Sequence, residues 1–266
     1  MASPEPDLTV RSGRVRHARR LATRAFRAKT GEFLAEGPQA VREAVAGGHA
    51  IEVFATAEAT QRHPDVLAAA ETSGADWLVV PDEVVAGVAD SVTPQGLVAR
   101  CRSLVQGLDA LPDDPRLVLV CHDMRDPGNA GAVIRCADAA GADAVVLTAD
   151  SVDPQNPKAV RASAGSLFHL PVIAHRDHGE VSAALVERGV QVLAADGRGT
   201  VGLFDGALDL ARPTAWVMGN EANGLTPHAR GLADRVVSVP IYGQAESLNL
   251  ATAAAVCLYA SARAQR

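Results

Sequence analysis

The chain has 266 residues, of which 48% are hydrophobic and 21% charged. That composition supplies enough apolar residues for a packed core and excludes a disordered chain. No apolar run approaches the roughly 18 residues that a membrane-spanning helix needs, so we expect no membrane segment. The N-terminal stretch lacks the apolar segment of a secretory signal, and the four cysteines are far apart with no CxxC pair. We therefore expect a cytoplasmic protein without a structural zinc site or a disulfide framework.

The net charge of −6 is unevenly distributed along the chain. Residues 1–29 carry eight basic and two acidic side chains, a local charge of +6, so the remaining residues carry −12. A cationic segment on an acidic protein is typical of proteins that meet a phosphate backbone at one place, although a solvated helix has the same composition. The basic side chains that we predict to bind phosphate groups are Arg14, Arg16, Arg19, Arg20, Arg24, Arg27 and Lys29.

In chain order, residues 12–29 predict a basic helix that begins at Ser12. Residues 30–105 alternate short apolar runs (GEFLAEG, IEVFAT, WLVV, GLVARCR) with helical stretches, which indicates a small α/β domain. Residues 106–115, QGLDALPDDP, contain two prolines, three aspartates and a glycine, and are the best candidate for a linker. The sequence thus predicts a basic N-terminal segment (1–29), a small domain (30–105), a linker (106–115) and a larger domain (116–266).

The larger domain has the pattern of a parallel α/β sheet. Its β-rich runs are LVLVC, AVVLT, QVLAA, TAWVMG and RVVSVP, with helical stretches between most of them and a final helix, SLNLATAAAVCLYASARA. Buried strands alternating with amphipathic helices favour a parallel sheet covered on both faces. Ligands of such sheets bind at the loops after the carboxyl ends of the strands. Polar loops with glycine stand at those places: HDMRDPGNAG, ADGRG, GNEANG and IYGQAESLN.

Several familiar sites are excluded. The sequence has no GxxxxGK[ST] loop, no GxGxxG after a strand, no GxSxG elbow and no HExxH. His175 and His178 are three residues apart, but they fall in a polar loop and do not form a convincing set of metal ligands. We therefore expect no metal.

The candidate catalytic residues are Asn129, Arg135, Glu221, Ser247 and Asn249. Asn129 follows Pro127-Gly128 at a predicted helix start, where it could equally be an N-cap. Arg135 falls in a run that should face the sheet, where an arginine is costly unless it is paired or binds an anion. Glu221, Ser247 and Asn249 also have purely structural alternatives, as caps or helix partners.

At these residues the sequence resembles the SpoU (TrmH) family of RNA ribose 2′-O-methyltransferases, in the SPOUT superfamily. Three segments match in order: DPGNAGAVIRCADAAGADAVVL, VMGNEANGL and VPIYGQAESLNLATAAAVCLY. The connecting stretch RASAGSLFHLPV is also similar, and GEFLAEGPQAVREAV resembles the family's small ribosomal-protein-like RNA-binding domain. The sequence departs from the family in Val239-Pro240-Ile241, where isoleucine-proline-methionine is frequent. It also has Ala164 at the loop position where the antibiotic-resistance branch has arginine.

The resemblance implies a SPOUT α/β fold whose last helix passes through a loop to form a trefoil knot, and a homodimer whose site is completed across the interface. It implies that S-adenosylmethionine is the cofactor. By position, the cofactor residues are Leu193, Ala194, Ala195, Asp196, Gly197, Gly219, Asn220, Val239, Ile241 and Leu248.

The implied activity is methylation of a ribose 2′-hydroxyl of RNA, more in keeping with ribosomal RNA than with transfer RNA because of the extra N-terminal domain. Arg135 would position the target nucleotide through its phosphate and stabilise the developing alkoxide, with direct proton abstraction by Arg135 as an open alternative. Asn129 would orient Arg135 or the ribose, and Glu221 would fix its loop and pair with Arg135. Ser247 and Asn249 would shape the pocket and contact the target nucleotide. Two alternatives stay open, namely an RNA- or ribosome-binding protein without catalysis and a methyltransferase acting on a base nitrogen.

Overall fold

The computed structural model describes residues 8–266, so the first seven residues of the predicted basic segment lie outside the described part. The chain forms two compact units. The N-terminal unit contains the residues up to Ser103 together with Gln155–Phe168, and the C-terminal unit contains Leu104–Pro154 and His169–Arg266. No helix of residues 8–266 is long and apolar enough to span a bilayer.

The strands in this range are β1 (Glu32–Glu36), β2 (Ala50–Ala55), β3 (Asp76–Val79), β4 (Leu97–Arg102), β5 (Val105–Gln106), β6 (Leu117–His122), β7 (Ala144–Thr148), β8 (Val172–Ala174), β9 (Gln191–Ala195), β10 (Val201–Gly202), β11 (Thr214–Met218) and β12 (Arg235–Ser238). The α-helices are α1 (Gly13–Arg20), α2 (Arg24–Thr30), α3 (Pro38–Ala46), α4 (Ala57–Arg62), α5 (Pro64–Ser73), α6 (Asp82–Val88), α7 (Pro127–Ala140), α8 (Pro157–Ser163), α9 (His178–Glu187), α10 (Pro227–Gly231) and α11 (Leu250–Gln265).

The N-terminal unit is built on a four-stranded sheet with the order β1-β4-β2-β3. Strand β4 is antiparallel to both β1 and β2, and β2 is parallel to β3. Leu34 and Phe54 of the sheet pack with Val84 and Val85 of α6 in one buried cluster. The four strands predicted between residues 30 and 105 are confirmed, as are the helices α3, α5 and α6.

The predicted basic helix over residues 12–29 is wrong in one respect, because the chain forms two short helices, α1 and α2. The break follows from Leu21, which is fully buried at the end of α1, and from Arg27, which is only 4% exposed. The Arg27 guanidinium donates hydrogen bonds to the carbonyls of Leu21 (2.8 Å) and Ala22 (2.9 Å). It thereby satisfies carbonyl groups that the end of a helix leaves without partners.

The C-terminal unit confirms the predicted parallel sheet. Its eight strands have the order β10-β12-β9-β11-β6-β7-β8-β5, and every neighbouring pair is parallel. Val118 and Val120 of β6 pack with Val181 of α9 in one buried cluster. Because side chains alternate along a strand, the opposite face is available to α11. Helix α11 packs against α7, β6 and β11, and Trp216 donates a hydrogen bond from Nε1 to Ser261 Oγ at 2.9 Å.

The chain passes from the N-terminal to the C-terminal unit between Ser103 and Leu104. Within the predicted linker (106–115), Gln106 belongs to strand β5, which pairs with β8, and Leu111 is buried in the core of the C-terminal unit. Residues 155–168, which include α8, belong to the N-terminal unit, where α8 packs against β1. Two contacts hold α8 there: Arg161 donates to Glu36 Oε2 at 3.0 Å and to Asp90 Oδ2 at 2.8 Å.

Candidate active site

A cleft with a volume of about 410 Å³ lies at the carboxyl ends of strands β9, β11 and β12 in the C-terminal unit. The start of α11 and the first turn of α7 complete it. This is the edge at which ligands of parallel sheets bind, because the loops after neighbouring strands meet there. The lining residues are Asn129, Ala195, Asp196, Gly197, Met218, Gly219, Asn220, Glu221, Gly224, Val239, Ile241, Glu246, Ser247, Leu248, Asn249, Leu250 and Ala253.

The loop after β11 closes on itself at Asn220 and Gly224, whose backbone groups exchange two hydrogen bonds of 3.0 and 2.9 Å. Gly224 has a φ of +67°, in the left-handed region that favours glycine. A Cβ at Gly219 would lie 2.4–2.6 Å from backbone atoms of Gly224 and Leu225, so no other residue fits there without moving the backbone. The Asn220 side chain ties the loop to the segment after β6 by donating to the Asp123 carbonyl at 2.8 Å.

Glu221 holds the start of α7 through its carboxylate. Oε2 accepts from the backbone N–H of Arg125 at 3.1 Å, and Oε1 accepts from the backbone N–H of Asp126 at 3.1 Å. Oε1 also accepts from Asn129 Nδ2 at 3.3 Å. Partial burial raises the pKa of Glu221, but these hydrogen bonds outweigh it and hold the pKa below its usual range. The carboxylate is therefore ionised at neutral pH.

Asn129 and Asn249 extend this network across the cleft. The N-cap of α7 is Asp126, which accepts from the Asn129 backbone N–H at 2.8 Å, so the alternative of Asn129 as N-cap is wrong. The Asn129 side chain is thus free to accept from Asn249 Nδ2 at 3.2 Å while it donates to Glu221. Asn249 is the N-cap of α11, where its Oδ1 accepts from the Ala251 N–H at 2.9 Å. Its capping role and its place in the cleft therefore coexist.

Arg135 lies elsewhere than the sequence predicted. It is exposed and does not line the cleft, because the buried face of α7 is occupied by Val133, Ile134 and Ala137. The predicted pairing of Arg135 with Glu221 is not found in the described chain, where the Glu221 carboxylate instead accepts from three N–H groups. No hydrogen bond or ion pair of Arg135 is found within residues 8–266. Its guanidinium therefore stays free for an external anion.

Most of the predicted cofactor residues line the cleft: Ala195, Asp196, Gly197, Gly219, Asn220, Val239, Ile241 and Leu248. Leu193 and Ala194 do not line it, because both are fully buried within β9. Asp196 is held by Arg230 of α10, whose Nη1 lies 3.3 Å from Oδ2. Sequence reasoning missed Glu246, although its position beside the candidate Ser247 could have indicated it.

The predicted phosphate-binding residues of the N-terminal unit differ in their surroundings. Arg27 is buried and caps α1, so its prediction as an RNA contact is wrong. Arg14 is held by Glu52 at 3.3 Å and by Asp76 at 2.9 Å, and Arg20 lies over the Phe26 ring at 4.0 Å. The remaining predicted residues are exposed, and no ion pair is found for them within the described chain; they are Arg16, Arg19, Arg24 and Lys29.

No group of three or more candidate metal ligands was found among residues 8–266. His175 bonds to Glu180 at 2.6 Å. His178 is buried, with its ring 4.9 Å from that of His122, and neither of its ring nitrogens has a hydrogen-bond partner in the described chain. Burial, with the neighbouring His122 and His228, lowers the pKa of His178 to about 4.

Two family models match this chain. That of the SpoU rRNA Methylase family matches residues 116–259, and that of the MRM3-like substrate binding domain matches residues 13–99. Among characterised relatives, the 23S rRNA (guanosine(2553)-2'-O)-methyltransferase RlmP of Bacillus subtilis is 33% identical over 255 residues, covering 94% of this chain and 96% of the relative. The 23S rRNA (uridine(2479)-2'-O)-methyltransferase of Streptomyces viridochromogenes is 32% identical over 252 residues, covering 91% of this chain and 86% of the relative.

A solved structure is similar over nearly the whole length of the chain. The SpoU methyltransferase AviRb from Streptomyces viridochromogenes, crystallised in complex with the cofactor AdoMet, has a TM-score of 0.84 and 30% identity. The match covers 95% of this chain and 98% of that chain. Both units therefore have counterparts in that structure.

Proposed function

Because the chain belongs to the SpoU rRNA methylase family, we propose that it transfers a methyl group from S-adenosylmethionine to a ribose 2′-hydroxyl of ribosomal RNA. The observation that carries this proposal is the hydrogen-bonded series Asn249–Asn129–Glu221 in the cleft. It brings together side chains from the three sequence segments that resemble the family, at the edge of the sheet where a ligand is expected.

The cleft fits the cofactor. Its volume of about 410 Å³ lies within the range of small-molecule sites, roughly 300–1,000 Å³. Val239, Ile241 and Leu248 supply apolar surface for an adenine ring, and a Cβ at Gly197 would have no protein atom within 4 Å, so this loop faces open space. The cofactor, when bound, supplies an electrophilic methyl group on a sulfonium. AviRb, whose structure contains AdoMet, supports this assignment.

The protein's own task is to align the 2′-hydroxyl and to stabilise its oxygen while the proton passes to solvent water. The bond from that oxygen to the methyl carbon would form as the bond to sulfur breaks, with the neutral thioether as the leaving group. Asn129 is fixed between Asn249 and Glu221, so its amide is held in one orientation for the ribose. Arg135 carries a guanidinium, and guanidinium groups in general are very weak bases. We therefore assign it to the nucleotide's phosphate and to the developing alkoxide rather than to proton abstraction.

Ribosomal RNA is favoured over transfer RNA by two observations. Both relatives named above are 23S rRNA methyltransferases, and this chain matches 96% and 86% of their lengths. The N-terminal unit also matches a substrate-binding domain, and it carries exposed basic side chains on α1 and α2. These side chains would add affinity that falls as salt rises, because binding phosphates releases counterions.

We further propose that the protein acts in the cytoplasm as a homodimer, and that the chain forms the trefoil knot implied by the resemblance. The dimer is supported by Arg135, which is absent from the cleft of its own chain and exposed on α7. A second copy could present its Arg135 to that cleft. The knot is supported by the likeness of the chain to the SpoU methyltransferase AviRb, which extends over 95% of this chain.

Transfer of tritiated methyl groups to total ribosomal and transfer RNA, taken from a strain that lacks the gene, tests the activity. We expect label in ribosomal RNA with the wild-type protein, located at a ribose by resistance to alkaline cleavage. Arg135→Ala should abolish transfer while cofactor binding survives. Label that resides in a base would favour the base-nitrogen alternative, and absence of both label and cofactor binding would favour RNA binding without catalysis.

A further inference from the structure

The cleft is lined by three carboxylates and by no basic side chain. Asp196, Glu221 and Glu246 are its charged lining residues. Two of them are compensated, since Asp196 pairs with Arg230 and Glu221 accepts hydrogen bonds from three N–H groups. Glu246 is exposed, and no hydrogen bond or ion pair of this residue is found within the described part of the chain. Its negative charge therefore faces the cleft without a partner from its own chain.

The two forms of the cofactor differ by one charge. S-adenosylmethionine carries a sulfonium, an ammonium and a carboxylate, so its net charge at neutral pH is about +1, whereas the thioether product has lost the sulfonium charge and is close to neutral. A carboxylate in the cleft attracts the first more than the second. Shape alone gives little discrimination, because the two molecules differ otherwise by a single methyl group.

We propose that Glu246 makes the cleft selective for the cationic methyl donor over its neutral product, and so limits product inhibition. The inference rests on the proposed function, because it takes S-adenosylmethionine as the ligand. Glu246 precedes Ser247, and the segment that follows includes Asn249 of the hydrogen-bonded series. This places the uncompensated charge beside the candidate catalytic residues.

The size of the effect is limited by solvent. A single pair of unit charges in a solvent-exposed cleft, in a medium between bulk water and a protein surface, changes affinity by about three- to tenfold. Because Glu246 is exposed, added salt should reduce that factor. The carboxylate charge, rather than its shape, is the cause, so the isosteric Glu246→Gln should remove it.

Isothermal titration calorimetry of the full chain with three ligands tests the proposal. The ligands are S-adenosylmethionine, S-adenosylhomocysteine and sinefungin, which carries an ammonium group in place of the sulfonium methyl. In Glu246→Gln we expect the affinity for both cationic ligands to fall about three- to tenfold, with little change for S-adenosylhomocysteine. Glu187→Gln, an exposed glutamate on α9 that does not line the cleft, is the matched control and should change none of the three.

The outcomes separate the two proposals. Equal changes for all three ligands, or none, in Glu246→Gln would overturn the role of Glu246 while leaving the proposed function in place. A change for S-adenosylmethionine but not for sinefungin would also overturn it, because methyl shape rather than charge would then be recognised. If the wild-type protein binds none of the ligands, the proposed function itself fails, and the inference with it.

Discussion

Gly197 and Gly219 both line the cleft, but their surroundings differ. A Cβ at Gly219 would collide with the backbone of Gly224 and Leu225, whereas a Cβ at Gly197 would meet no protein atom within 4 Å. We therefore expect Gly219→Ala to lower the free energy of unfolding by about 1–3 kcal/mol, the usual cost of overpacking. Gly197→Ala should leave stability unchanged and weaken binding of S-adenosylmethionine.

Urea unfolding and calorimetric titration of the two variants separate these effects. Comparable losses of stability in both variants would contradict the distinction in which Gly219 is enclosed by backbone and Gly197 faces open space. Unchanged cofactor affinity in Gly197→Ala would show that the cofactor lies elsewhere in the cleft.

Four of the five candidate catalytic side chains could be placed from the sequence, because Asn129, Glu221, Ser247 and Asn249 stand in loops after strands or at helix starts. Such positions can be found from the sequence, because hydrophobic patterns show where strands end and helices begin. Arg135 could not be placed, because its exposure depends on which face of α7 is buried against the rest of the unit. The run around it contains apolar residues on more than one side, so the pattern did not exclude an inward arginine.

At the scale of elements, Arg24 and Arg27 lie on the same helix, α2, and allow a structural role to be compared with an RNA-binding role. Arg27 is buried and its guanidinium caps α1, whereas Arg24 is exposed with no ion pair found in the described chain. Hydrogen bonds from a charged group contribute about 1.5–3 kcal/mol, so Arg27→Ala should destabilise the protein by about 2–4 kcal/mol. Arg24→Ala should leave stability unchanged but reduce by about 1 the slope of log affinity for RNA against log salt.

Thermal unfolding and filter binding at several salt concentrations measure both quantities. The assignment of Arg27 to the helix end would be contradicted if Arg27→Ala folded with wild-type stability and reduced the salt slope instead. An unaltered slope in Arg24→Ala would argue that α2 does not face the RNA.

Elements with a regular hydrophobic period could be predicted, and those defined by long-range packing could not. The strands β6, β7, β9 and β11 are apolar runs, and the structure confirms them. Helix α8 was missed because its place depends on Arg161 meeting Glu36 and Asp90, which are distant in sequence. The break between α1 and α2 was missed for a local reason, since a basic run alone does not reveal that one of its arginines, Arg27, is buried.

For the whole molecule, His178 links stability to pH. Its pKa is lowered to about 4 in the folded protein, against about 6.5 for an unperturbed histidine. Between these values the unfolded chain binds a proton that the folded chain does not, so stability falls as pH falls from about 6.5 to about 4, by up to about 3 kcal/mol. We expect His178→Leu to reduce, but not abolish, the pH dependence of urea unfolding between pH 7 and pH 5, because burial also lowers the pKa values of His49 and His122. Parallel profiles for the wild type and the variant would contradict this.

The proposed dimer predicts complementation between two inactive variants. Gly197→Leu should fill the cleft of its own chain, because its side chain would enter the open space there. Arg135→Ala leaves the cleft of its own chain intact, because Arg135 does not line it. In a heterodimer of the two, the cleft of the Arg135→Ala copy is open and would receive Arg135 from the Gly197→Leu copy. The cleft of the Gly197→Leu copy is filled and would also lack Arg135, so it carries both lesions.

Heterodimers purified with two different affinity tags should therefore regain about half of the wild-type methyl transfer per dimer, from the one intact site. Each variant alone should be inactive, and each should keep the sedimentation behaviour of the wild type. If Arg135 instead acted in the cleft of its own chain, both clefts of the heterodimer would carry a lesion and no activity would return. Sedimentation of the wild type as a monomer would reject the dimer before any activity is measured. These outcomes differ because Arg135 is exposed on α7 and lies outside the cleft of its own chain. If it takes part in methyl transfer, we expect it to act in the cleft of the other copy.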